Sequence, residues 1–305
     1  MVVEVIFLII IMEQMGLLFA FMCLGFFFGK KRIVDTQHSK IISVLCVNLL
    51  MPCTVFKAFY NNFNSSYLSK YYPFVLVSTC FMFIFLVAGF FAARRLTDNG
   101  YERKVYRYSF IVPNYAYMGY ALAEGIYGGE GLLNIVIFAM PIMLYIYTYG
   151  YCALTKRGFS LKKLVNPVII AMLIGAIVGF TQLRLPNSMM EFVNKTSGCM
   201  APLSMLLAGI TISEYRLKNL LSDKNAYIMA IIRLIVIPLC VLLILKPLCS
   251  TELTRTAVLL FSMPYGLNPI IFAKLFDENY FLPAKLAFIS SVLSIITVPL
   301  FLSLF

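Results

Sequence analysis

The amino-acid sequence predicts an all-α polytopic membrane protein of ten transmembrane helices. They form a 5+5 inverted repeat in which helices 4 and 9 are broken and cross. Three observations predict it: a composition that no soluble core can hide, ten apolar runs of membrane-crossing length, and prolines that recur half a chain apart. Of the 305 residues, 61% are hydrophobic and 12% charged, and the mean hydropathy is +0.89. A soluble domain carries about 25% charged residues, so lipid must cover much of this surface.

The apolar runs fall near residues 5–28, 40–60, 71–93, 108–126, 131–154, 165–184, 190–213, 226–249, 255–275 and 283–305. Each matches the length needed to cross about 30 Å of hydrocarbon. The connecting loops are short, which leaves no room for a soluble domain. The first run lacks a basic segment before it and a small-residue cleavage site after it, so it reads as a retained helix rather than a signal peptide.

The net charge of +12 does not point to nucleic acid, because the basic residues sit in short clusters between apolar runs. Of 25 basic residues, 18 fall in or beside the odd-numbered loops, including Lys30, Lys31, Arg32, Arg94, Arg95, Arg103, Lys104, Lys162 and Lys163. Positive loops stay cytoplasmic, so both termini are expected outside a cell membrane. The eight cysteines are scattered without a C-x-x-C, and His38 is the only histidine, so neither disulfides nor metal ligation is expected. Enzyme motifs such as H-E-x-x-H, G-x-S-x-G and the P-loop are absent. No cofactor and no catalytic residue is expected.

The prolines expose the repeat. Pro52 and Pro113 lie 61 residues apart, Pro202 and Pro264 lie 62 apart, and the second pair follows the first by 150 and 151. These are spans 2 and 4, then 7 and 9. Five spans per half is odd, so residues 1–154 and 163–305 enter the membrane from opposite sides, as in secondary transporters. Spans 4 and 9 are also interrupted, by Pro113, Asn114 and Gly119 in one and by Pro264, Gly266, Asn268 and Pro269 in the other. Proline removes a donor and glycine permits unwinding, and the freed backbone groups must find partners in protein, water or a ligand. Matching breaks in inverted halves point to a midplane site, and half-helix N-termini there favour an anion.

"MPYGLNPIIFAK", "PNYAYMGYALAEGIYG" and "NLLMPCTVF" resemble the ninth-, fourth- and second-helix motifs of the auxin efflux carrier family, whose plant members are the PIN-formed carriers. The resemblance implies the fold of sodium/proton antiporters and bile-acid symporters. In that fold spans 1, 2, 6 and 7 hold a homodimer while spans 3–5 and 8–10 move as an elevator. By position it makes Pro113-Asn114 and Pro269 the crossover, with Asn114 on the substrate. Three positions depart from the pattern: Tyr265 stands where plant members have a glutamine, Ala121 where the family usually has a proline, and Ser66 where plant carriers have an acid four before Lys70. The short fifth loop, "TKRGFSLKK", is similar to that of compact microbial members, which are associated with small carboxylates such as malate or malonate.

Ionisable residues within spans are functional suspects. Glu13 in span 1 could carry a coupling proton or hold a scaffold interface. Arg233 in span 8 sits about two turns from a membrane boundary, where it could snorkel to headgroups or act as a counter-ion. Glu191 and Lys195 read as a structural i,i+4 pair. The expected function is alternating-access transport of a small organic anion. The alternative is a membrane receptor or regulatory scaffold that keeps the fold without transport.

Overall fold

α1 (Val2–Lys30) is a 29-residue rod, about 43 Å long at 1.5 Å per residue and so longer than the hydrocarbon core. It opens a computed structural model that describes residues 2–34, 36–63, 68–155, 166–275 and 281–305. Ser66 and residues 156–165, which include the fifth loop's basic cluster, lie outside the described residues, as do the side chains of His38 and Lys274. All named elements are helical. Among the described residues, seven helices are long and apolar enough to cross a membrane: Ile6–Lys30, Ser39–Asn62, Lys70–Leu96, Tyr115–Thr155, Asn187–Ser213, Lys224–Leu245 and Phe281–Leu302. A shorter apolar helix, α8 (Pro167–Thr181), starts at proline behind the Asn166 cap.

Several of these rods are composite. α2 (Thr36–Leu45) passes through a π-helical turn at Cys46–Leu50 into α3 (Met51–Asn62), with Pro52 in its first turn. α4 (Leu68–Leu96) is continuous, and α5 (Gly100–Ile111) stops short at the first break. α6 (Tyr120–Tyr145) runs through a second π turn, Ile146–Gly150, into α7 (Tyr151–Thr155). The stretch Tyr115–Thr155 is 41 residues long, about 60 Å if straight and too long for one crossing. Gly128 divides it, with φ 67° and ψ −160°, a conformation open to glycine alone at little cost.

The later helices are composite as well. α9 (Asn187–Gly198) meets α10 (Met200–Ser213) at Cys199, and Pro202 stands three residues on, in the first turn of α10. α11 (Leu217–Leu220) is a single turn, followed by α12 (Lys224–Ile231), a π turn at Ile232–Val236, and α13 (Ile237–Leu245). α14 (Thr251–Ser262) ends at the second break, and α15 (Asn268–Leu275) and α16 (Phe281–Leu302) follow.

Small residues decide which helices touch closely, as expected where lipid removes the hydrophobic drive between helices. α1 lies along α10 because Gly25 meets the backbone of Leu206 and Gly209 meets that of Met22 and Phe26. α8 lies along α3, where a Cβ on Gly175 would stand 3.0 Å from the Phe56 carbonyl. From Gly131 onward α6 is buried nearly all round, whereas α1 and α4 turn Leu17, Leu24, Phe83 and Val87 outward.

Ion pairs tie the helix ends. Lys57 of α3 meets Glu124 of α6 at 2.5 Å, and Lys195 pairs with Glu191 at 2.8 Å as the i,i+4 spacing predicts. Asp223 caps α12 through the N–H groups of Asn225 and Ala226 and accepts from Lys285 at 2.9 Å. Burial pushes the Asp223 carboxyl up, but the bond and charge of Lys285 and the two backbone donors outweigh it and hold the carboxyl below its ordinary value. A depressed folded pKa contributes stability above the unfolded value and loses it as pH falls through the folded one. Wild type should therefore lose more melting temperature between about pH 6 and about pH 3 than Lys285→Met does. Parallel pH curves in a detergent melt would contradict this.

Candidate functional site at the crossing of two breaks

Helix α5 cannot continue past Ile111, because Pro113 has no N–H to give and restrains Val112 to extended backbone, seen at φ −100° and ψ 107°. α14 ends in the same way, with Met263 extended at φ −65° and ψ 144° before Pro264. The two extended segments lie side by side. Pro113 and Tyr265 form an isolated antiparallel bridge, and the Asn114 N–H donates to the Pro264 carbonyl at 2.8 Å. Two strands one residue wide thus satisfy, in mid-helix, groups that lipid could not.

Close approach depends on Gly266, whose added Cβ would stand 3.2 Å from the Pro113 carbonyl oxygen. Beyond the breaks the chain turns helical again. The Asn114 carbonyl accepts from both Met118 at 3.2 Å and Gly119 at 3.1 Å, opening a π-helical turn at Tyr115–Gly119. α15 restarts at Asn268, and Pro269, buried in its first turn, blocks the helix from extending back through Tyr265. Helix starts carry partial positive charge, and two of them begin here.

The side chains divide into those that face the crossing and those that brace it. Asn114 is buried, and its Oδ1 has no hydrogen-bond partner. It borders a void of about 10 Å³ between Leu18, Phe19 and Met22 of α1, Met205 and Ala208 of α10, and Ser291 of α16. That is room for about one water. The Tyr265 side chain is turned away, its hydroxyl donating to the Met229 carbonyl at 2.8 Å while its N–H donates to Ser290 Oγ at 3.0 Å. Asn268 spends its amide on the Tyr108 hydroxyl at 3.2 Å. Gly119 makes room for Ile135 and Met263 rather than opening to the void.

The ionisable residues of the spans occupy three different settings. Arg233 does not snorkel: its side chain is fully buried, with Nε donating to the Met263 carbonyl at 3.1 Å and Nη1 to the Phe110 carbonyl at 3.3 Å. The open alternative, a counter-ion, fits better, because α5 and α14 both end at these carbonyls. Lys70 lies away from the crossing. It pairs at 2.9 Å with Glu252, ten residues or about 15 Å along α14 from the break. Asn134 Nδ2 donates to the same carboxylate at 2.7 Å, so Lys70 finds its acid on another helix. Glu13 is exposed on the outer surface of α1, apart from the crossing. The bracing residues Tyr108, Ser290 and Ser204, whose Oγ donates to the Tyr117 carbonyl at 3.0 Å, carry no sequence mark that singles them out.

Known proteins are similar to this chain over most of its length. The family model described as "Membrane transport protein" matches residues 10–164 and 157–302. An uncharacterized transporter of Methanocaldococcus jannaschii is 23% identical over 290 residues, 90% of this chain and 92% of its own. One from Methanothermobacter thermautotrophicus is 24% identical over 288 residues, 91% and 92% of the two chains. The uncharacterized transporter YfdV of Escherichia coli K12 is 23% identical over 275 residues, 84% and 85%. With both halves matched and both broken helices in place, the chain belongs to the membrane transport protein family, the auxin efflux carrier or PIN-like family of its motifs.

Proposed function

We propose that this protein is a secondary carrier of a small organic anion, a carboxylate of malate or auxin type, working by elevator-type alternating access. The observation that carries the reading is the crossing, where two helix starts meet beside the buried Asn114 carboxamide. Such a place favours a negative ligand. The void there is too small for any organic anion, so α1 and α10 must separate from the crossing before a substrate enters.

Ten crossings result when α1, α2–α3, α4, α5 with 115–127, 129–155, α8, α9–α10, α12–α13, α14–α15 and α16 are each counted once. Residues 1–154 and 163–305 are then inverted halves. Matching features support this. Pro52 follows the π turn of α2–α3 as Pro202 follows the joint of α9–α10, and the glycine contacts of α1 on α10 answer those of α8 on α3. Spans 1, 2, 6 and 7 form the scaffold and the homodimer surface, and spans 3–5 and 8–10 the moving unit. Two apolar clefts lie along the seam, about 630 Å³ between α3, α8, α4 and α6 and about 250 Å³ between α1, α10 and α16. A loosely filled seam is what sliding needs. In this reading the protein lies in the cell membrane with both termini outside, and a cysteine at Arg103 labels only from the cytoplasm.

Flux of radiolabelled malate, malonate and indole-3-acetate into proteoliposomes tests the proposal. Saturable uptake of one of them is expected. Binding without flux would favour a receptor, and neither binding nor flux for any carboxylate would overturn the substrate class.

A further inference from the structure

We propose that Arg233 is the protein's own built-in monovalent cation, a positioning residue that fills the carbonyl cradle where a broken-helix carrier otherwise holds a sodium ion. The inference rests on the crossing of the breaks and not on transport, and its measurement needs no substrate, so the two readings fail separately.

The electrostatics lead there directly. A helix C-terminus carries roughly half a negative charge, and α5 and α14 bring two such ends together within the span of one side chain. Left alone, they would repel each other in a medium of low dielectric. In carriers with discontinuous helices, unwound carbonyls and half-helix C-terminal ends are the groups that coordinate sodium. Here the carbonyls of Phe110 and Met263 are both taken by the Arg233 guanidinium. Two half-charges balance one guanidinium, which explains why a fully buried arginine has no carboxylate partner among the described residues. Burying an unpaired cation would otherwise cost several kcal/mol.

Local structure serves the same end. Arg233 lies in the π-helical turn Ile232–Val236 of span 8, and such turns re-aim side chains within a helix, frequently at functional sites. Tyr265 braces that turn from the crossing by donating to the Met229 carbonyl. The planar guanidinium offers several fixed donors and stays charged without water, so it can span two carbonyls from different helices. A lysine would supply the charge with a different reach. The consequence is a crossing fixed by the chain itself, with no call for a metal ion.

The test is a melting curve of the purified full-length protein, with sodium chloride exchanged for choline chloride at constant ionic strength. A sodium site filled about a hundredfold above its Kd would raise the melting temperature by several degrees; no sodium-specific shift is expected for wild type. Arg233→Ala should melt roughly 10 °C lower, through loss of two charge-assisted bonds. It should regain part of that with millimolar methylguanidinium but not with tetramethylammonium, and it should respond to sodium. Sodium-specific stabilisation of wild type would overturn the proposal, as would an Arg233→Ala variant that melts normally or is not restored by methylguanidinium. Should Arg233→Ala fail to fold, Arg233→Lys keeps the charge. It should fold, melt below wild type and ignore sodium, and a sodium response in it would overturn the proposal equally.

Discussion

Asn114→Ala is expected to weaken substrate binding by about 5- to 150-fold, or about 1–3 kcal/mol, while leaving the melting temperature of the free protein unchanged or higher. The two effects have opposite signs for one reason. The Asn114 oxygen is buried with no partner in the protein, and an unpaired buried group costs about 1–3 kcal/mol, or less where a water fills the small void beside it. Alanine removes that cost. When an anion binds, the carboxamide N–H can donate to a carboxylate oxygen, and its own oxygen can accept from a substrate hydroxyl or a carried water. Alanine offers neither. The backbone bond from Asn114 N–H to Pro264 survives, because it needs no side chain. Transport assays paired with melts at equal abundance decide the matter. Normal binding and flux in Asn114→Ala would remove this residue from the site, and a loss of activity matched by a loss of stability would make it a structural residue instead.

Much of this was legible in the sequence because proline and glycine have local consequences. Pro113, Pro264 and Gly266 end or open helices wherever they stand, so the two breaks and their pairing could be read from spacing. The apolar runs were equally plain, although α4 is longer than its run and span 9 separates into α14 and α15. What escaped was long-range charge pairing. Nothing near Lys70 announces Glu252, 182 residues later, as its acid, and a hydropathy window reads Arg233 as an intrusion near a membrane edge. Its burial makes sense only once two helix ends, Phe110 and Met263, are known to meet. The tyrosine at 265 misleads in a different way. Its backbone builds the bridge to Pro113, but its hydroxyl serves span 8, a division that residue type cannot convey.

Gly266→Val should reduce transport per folded molecule by about tenfold or more, since displacement of a binding group by about 1 Å suffices for such losses. The reason is space and not backbone freedom. A Cβ at this position would lie 3.2 Å from the Pro113 carbonyl oxygen, 3.6 Å from its carbon and 3.8 Å from Val112 Cγ1. Alanine therefore needs a shift of only a few tenths of an ångström, which the two extended segments can share, and Gly266→Ala should retain most activity. The two γ carbons of valine add bulk beyond a Cβ that is already tight against the Pro113 carbonyl. They drive the Pro113 carbonyl away and stretch the neighbouring 2.8 Å bond from Asn114 to Pro264, which separates the very residues that define the site. Overpacking of this kind costs about 1–3 kcal/mol, or roughly 2–12 °C of melting temperature in a chain of this size. Gly100→Val is the matched control, because nothing lies within 4 Å of a Cβ at the start of α5. Melts and flux measured on the three variants separate the outcomes: if Gly266→Val carries substrate as well as Gly100→Val does, the two breaks do not have to touch for transport, and the crossing is not the site.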